Sequence, residues 1–240
     1  MLTGDSPMAK DATDEVRLTR RQWWGLNVSP LFLRLVLGVV FLWAGLGKFL
    51  SDVPVQGPIA DAVQTVWGSS APPAEGGGSS PANAPSGEVN VRGVRVLGAS
   101  IYMAGNPPVG DNGVKPRAIW PGFISSPLPA KAQAFAVAIT EILVGMFLLA
   151  GLLSRLSALG VIIIMFGAVW LSQLGPAIQS GNTTLGFLPD YPRFSHLWQN
   201  LFFQLSMLAM AGAVLLTGAG CLSVDAVLFR RRDKHEIDVE

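Results

Sequence analysis

Lys48 and Glu141 each lie inside an apolar run long enough to cross a bilayer, where an ionised side chain is least expected. Arg34 stands fourteen residues before Lys48 in the first run, and Arg155 fourteen residues after Glu141 at the end of the second. A charge in hydrocarbon costs about 3 kcal/mol or more, so four charges at matched spacing call for partners or a polar cavity, and the default reading is a functional site. An ammonium can hold a carbonyl oxygen or an anion, and a carboxylate beside it can exchange a proton. Lys48 and Glu141 are therefore the candidate catalytic pair.

Helical periodicity says which residues accompany them. At about 100° per residue, Arg34, Gly38, Phe41, Gly45 and Lys48 share one face of the first run, and Glu141, Gly145, Leu148, Leu152 and Arg155 share one face of the second. Consecutive spans run in opposite directions, so facing stripes would bring Lys48 to Glu141 and Arg34 to Arg155. The first pair can neutralise. The second needs an acid, and Asp225 in Gly218-Ala-Gly-Cys-Leu-Ser-Val-Asp225 is the expected one, forming a structural charge cluster of Arg34, Arg155 and Asp225. Gly38 and Gly45 would allow the backbones to approach closely. In the last run His196, Asn200 and Gln204 follow one another at four-residue steps, with Gln204 at the depth of Glu141. They would line a chamber beside the pair as substrate-binding residues, with His196 at its mouth.

Each of these residues also has a plainer reading. Lys48 and Glu141 could form an ion pair that only sets helix register. Arg34, Arg155 and Asp225 could orient and pack the helix ends near an interface where long side chains snorkel. A histidine at a span boundary is commonly just solvated. Asn200 and Gln204 could bond between helices at about 0.6 kcal/mol apiece.

The elements that must position these groups follow from composition and hydropathy. Half of the residues are hydrophobic and 14% are charged, with a mean hydropathy of +0.44, too apolar for an ordinary soluble domain. A net charge of +1 suggests no nucleic-acid partner. The single cysteine, Cys221, excludes an internal disulfide, a CxxC pair and a multi-cysteine metal centre; His196 and His235 are too few and too far apart to carry a haem or metal unaided. No tightly bound cofactor is expected.

Four runs, 30–50, 132–153, 156–174 and 196–217, each approach the 30 Å or so of hydrocarbon that about 20 helical residues cross. The expected fold is an all-α membrane protein, a four-transmembrane-helix bundle in a lipid bilayer. Ser154 and Arg155 make the second and third spans a tight hairpin. With no small-x-small site after the first run, it reads as an anchor and not a cleaved signal. Segment 1–29 precedes the bundle, 175–195 joins the last two spans and 218–240 forms the tail.

Arg17, Arg20 and Arg21 before the first span, Arg155 in the turn, and Arg230, Arg231, Arg232 and Lys234 after the last would place both termini on the cytoplasmic side of an inner (plasma) membrane. Trp23 and Trp24 would mark the inner interface, and Trp170, Tyr191 and Trp198 the outer. The loop 51–131 would then be extracytoplasmic. It holds Arg92, Arg95, Lys115 and Arg117, but a loop beyond about 60 residues has little weight in this rule. Its stretch 68–86 is a low-complexity linker for which no structure is expected. Before it, Ile59, Val63, Val66 and Trp67 share a face of a short helix suited to resting on the membrane. After it, Val89, Val91, Val94 and Val96 suggest a hairpin or a bulged strand.

The chain resembles the DoxX/DoxD family of small four-helix membrane proteins. The resemblance lies in Leu33-Arg34 through Gly38, Phe41, Gly45 and Lys48, in Glu141-Ile-Leu-Val-Gly145 through Gly151-Leu-Leu-Ser-Arg155, and in Gly218-Ala-Gly220 and Ser223-Val-Asp225. It covers the four spans, about half of the chain, and departs from compact members in the long loop. It implies quinone-linked membrane redox chemistry: DoxD is associated with thiosulfate:quinone oxidoreductase. Quinone would enter as a substrate, with electrons coming from a second substrate or from a redox partner subunit, and a homo-oligomer is open. Family membership does not set activity. The alternative is a non-catalytic scaffold or assembly subunit for a redox enzyme or an exported partner. A transporter is disfavoured, since four spans show no broken-helix pair.

Overall fold

The computed structural model describes residues 20–68, 89–109, 113, 115–192, 195–218, 220 and 223–225, with side chains from residue 28 onward. Arg17, positions 69–86 of the linker, Cys221, Arg230, Arg231, Arg232, Lys234 and His235 lie outside the described residues, as do the side chains of Arg20, Arg21, Trp23 and Trp24.

Among the described residues four helices are long and apolar enough to cross a membrane. They are α1 (Arg20–Leu50), α4 (Pro127–Ala150), α5 (Ser154–Val169) together with its continuation to Ser180, and α7 (His196–Thr217). Helix α5 continues through a π turn, Trp170–Leu174, into the short α6 (Gly175–Ser180). Between α1 and α4 lie β1 (Asp52–Val55), α2 (Pro58–Trp67), β2 (Val89–Arg92) and α3 (Gly93–Gly105); β3 (Thr183–Thr184) and β4 (Leu188–Pro189) pair ahead of α7. Helix α4 starts at Pro127, five residues before its apolar run. Proline is tolerated in a first turn, where its missing N–H has no intrahelical partner anyway.

Helix α1 packs chiefly on α4 and α5 on α7, and α4–α5 and α1–α7 contacts close the ring. The shared core holds Leu37, Phe41, Val144, Leu148, Val161, Met207 and Val214. Outward, Trp43, Ile163, Phe166 and Leu216 are exposed, as residues facing acyl chains should be. In lipid no hydrophobic force draws helices together, so close packing has to do so. The α1–α4 crossing shows how. A Cβ on Gly145 would lie 2.6 Å from the Leu42 backbone nitrogen, and one on Gly38 or Gly45 would come within 2.7 Å of a side chain of α4.

The segment between α1 and α4 is a packed cap at the Lys48 end of the bundle. Strand β1 pairs antiparallel with β2, Asp52 opposite Arg92 and Val55 opposite Val89. Two expectations are corrected here. Val94 and Val96 belong to α3 and not to a strand: the Gly93 N–H bonds the Ser51 carbonyl as the ladder ends, and the chain turns helical at that glycine. The apolar face of α2 does not rest on the membrane; Ala62, Val63 and Val66 are buried, and the helix packs on α3 in a core with Val55, Val91 and Ala99. A strand partner some 37 residues away in the chain leaves no local signal.

At the opposite end the α4–α5 turn is held from outside. Gly151 adopts the left-handed conformation at φ 68° as the C-cap of α4, and Leu153, the residue before α5, has φ 49° and no capping side chain. The Asp225 carboxylate does the capping: Oδ1 accepts from the Leu153 N–H at 2.8 Å and Oδ2 from the Ser154 N–H at 2.9 Å. The Asp225 N–H in turn donates to the Gly151 carbonyl at 3.1 Å. A carboxylate at a helix N-terminus satisfies orphan donors and faces the positive end of the dipole. Asp225→Ala is expected to cost about 1–2 kcal/mol and Asp225→Asn less, read as thermal unfolding in detergent; unchanged Tm in both would refute the cap.

Candidate functional site

The facing stripes of α1 and α4 bring Lys48 and Glu141 together: the Lys48 ammonium donates to Glu141 Oε2 as an ion pair. Glu141 is 5% exposed. Lys48 keeps 23% of its side chain open. Glu141 sits near the middle of α4, with Gly145 one turn on and Ala138 three residues before; the carbonyl of Ala138 lies 3.0 Å from where a Gly45 Cβ would be. Gly93, the first residue of α3, lies against the Lys48 backbone. The cap therefore roofs the pair on the α1 side.

The α7 residues are placed differently from one another. His196 and Asn200 are exposed. Gln204 turns inward, and its Nε2 donates to Ser172 Oγ at 2.9 Å. That bond joins α7 to the π turn of the third span, where a polar cluster lies that the sequence reading passed over. Gln173 is buried, its Nε2 donates to Ser172 Oγ at 3.3 Å, and its Oε1 accepts from the Tyr191 hydroxyl at 3.1 Å. Partial burial raises the Tyr191 phenol above its ordinary pKa, so at neutral pH it stays protonated and can donate. Trp198 Nε1 donates to the Tyr191 carbonyl and Trp170 Nε1 to the Ile119 carbonyl, which ties the loop before α4 to the same turn. Gln204 Oε1 is buried with no hydrogen-bond partner among the described residues. π turns recur at functional sites because the extra residue redirects side chains. The polar pair Ser172-Gln173 inside an apolar run was the one signal available for it.

The charged residues of the other end have separate settings. Arg34 is 1% exposed, and its guanidinium lies against Gly151, where a Cβ would fall 2.3 Å from Nη1. Arg155 is exposed and lies beside Gly218. Asp225 was expected to join the two arginines; its carboxylate instead makes the backbone bonds described above.

Residues 115–173 match the family model described as DoxX. The match takes in the loop before α4, all of α4 with Glu141, the Asp225-capped turn, α5 and the π turn as far as Gln173; Arg34 and Lys48 on α1 lie outside it. Neither the curated proteins nor the solved structures compared with the chain gave a match. The motif from Glu141 to Arg155, one of those that carry the resemblance, falls within the matched residues, on two of the four helices long and apolar enough to cross a membrane; over these residues, about a quarter of its length, the chain is similar to DoxX, and it has the helices of a multi-pass membrane protein.

Proposed function

We propose that the protein is a membrane subunit of quinone-linked redox chemistry, of the thiosulfate:quinone kind, working at the Lys48–Glu141 pair. The observation that carries this reading is an ion pair inside the bundle with one shielded and one partly open partner. Reduction of a quinone takes two electrons and two protons. The open side of Lys48 suits it to hold a carbonyl or anionic oxygen, and Glu141 suits the exchange of a proton with it. His196 and Asn200 on the exposed side of α7, and Gln204 within the bundle, supply further hydrogen-bonding groups at the same end. The chain's basic flanks argue for an inner membrane location with both termini cytoplasmic, which puts the cap on the outer face. Electrons come from thiosulfate reacting at the site or from a partner subunit that bears a cofactor.

The test is quinone reduction by the purified full-length protein supplied with thiosulfate. Lys48→Met and Glu141→Gln are each expected to lower the rate at least about a hundredfold, the lower bound for losing a positioned acid–base group. Wild-type rates in both variants would remove the pair from the reaction. Inactive wild type would favour the scaffold reading, for which the packed cap at the Lys48 end offers the contact surface.

A further inference from the structure

Trp67, the last residue of α2, lies on α3 at Gly98, where a Cβ would come within 3.0 Å of the indole. Its Nε1 donates to the Arg95 carbonyl at 3.2 Å. Phe135 of α4 meets the indole edge-on with centroids 5.7 Å apart, and Phe49 of α1 stacks on Phe135 at 6.2 Å. Two cations approach the same indole: the Arg95 guanidinium at 6.0 Å and the Lys131 ammonium at 5.4 Å from its centroid. Neither forms an ion pair within 4.0 Å among the described residues. Arg92, three residues from Arg95, is by contrast matched with Asp52. A ring quadrupole is a weak counter-ion for two like charges, so the pair is short of an anion.

Its depth and surroundings say which anion. Helix α4 has 24 residues, about 36 Å at 1.5 Å per residue against about 30 Å of hydrocarbon, a difference that tilt can absorb, but its charge-bearing first turn, Pro127–Lys131, precedes the apolar run that begins at Ala132 and is the end that stands clear. At its far end the turn carries exposed apolar Leu153 and Leu156 instead, which puts Lys131 at headgroup level. Below Lys131, at four-residue steps on the same face, come Phe135, Ile139 and Leu143, each exposed. A cationic head above an apolar lane is complementary to a phospholipid, whereas a free anion would have no use for the lane.

We propose that Arg95 and Lys131, flanking Trp67, bind the phosphate of an anionic phospholipid whose acyl chain lies along Phe135, Ile139 and Leu143 of α4. The bound lipid bridges α3 and α4 and fastens the cap to the bundle. The site is separate from Lys48 and Glu141 and does not depend on the redox reading.

The experiment uses the full-length protein in nanodiscs of phosphatidylcholine with a minority of phosphatidylglycerol, with retained lipid counted by native mass spectrometry. At low salt, wild type is expected to retain phosphatidylglycerol over phosphatidylcholine by about thirtyfold, and Arg95→Gln or Lys131→Gln to lose about fivefold each. Equal retention of the two lipids by wild type would overturn the proposal without recourse to any variant. An undiminished preference in the folded double variant would overturn it as well. Inorganic phosphate alone is the third arm: it is expected not to displace the lipid, and displacement at millimolar phosphate would assign the cations to a free anion instead.

Discussion

Gly145→Val is expected to prevent α1 and α4 from assembling. The new Cβ would fall 2.6 Å from the Leu42 nitrogen and 2.9 Å from both the Gly38 carbonyl oxygen and the Leu42 Cα. All three are backbone atoms, so no rotamer change can relieve the contact. Overpacking of a core that can shift costs about 1–3 kcal/mol; against rigid backbone the effect should reach or exceed the top of that range. The two helices would have to separate, and in lipid that separation loses the dispersion contacts that hold them with no hydrophobic force to compensate. Gly145→Ala, with the same Cβ and nothing beyond it, should fall between wild type and Val. Size-exclusion profiles and thermal unfolding in mild detergent read the result. A monodisperse Gly145→Val protein with wild-type Tm would mean that α1 and α4 do not cross this closely.

The second large effect is asymmetric. Lys48→Met should destabilise by about 3–5 kcal/mol, the range for removing one partner of a buried pair, because it strands a carboxyl group that is 5% exposed in the middle of α4. Glu141→Leu should cost less, since Lys48 lies in the last turn of α1 with part of its side chain open and can extend its ammonium toward the interface. The double variant Lys48→Met/Glu141→Leu should recover to within about 1 kcal/mol of wild type, since a well-packed apolar pair can replace a buried ion pair at little cost. The coupling energy of this cycle is the measurement. Additive losses would show that the two side chains do not interact in the folded protein. The same double variant separates function from packing: recovered stability without quinone reduction assigns the pair a chemical role, and recovered activity with recovered stability makes it a register device.

The meeting of Lys48 and Glu141 was legible because helical period and membrane topology together leave little freedom. Residues at steps of three and four share a face, consecutive spans are antiparallel, and glycines at Gly38, Gly45 and Gly145 mark the stripe where backbones can touch. The cap was legible only in pieces. The apolar face of α2 was visible, but its partner was not, since nothing local in 58–67 distinguishes packing on α3 from lying on a membrane. Val94 and Val96 continued the β-branched pattern of β2, and only the end of pairing with β1 at Gly93 shows that the chain becomes helical there.

Apolar length and charge placement along the sequence by themselves determined four membrane spans, the polar faces of α1 and α4, and the end at which Lys48 and Glu141 would meet, because a bilayer imposes span length and a helix imposes period. Tertiary structure alone decided what Asp225 and Gln173 do. Asp225 lies seventy-odd residues from the N–H groups it caps, and the opposite charges of Arg34 and Arg155 made an ion pair the simpler expectation. Gln173 enters the bundle through a π turn, whose extra residue breaks the period on which every face assignment rested. Local physics writes a repeat into the chain; a contact made across the fold, or a break in the repeat, leaves no comparable mark.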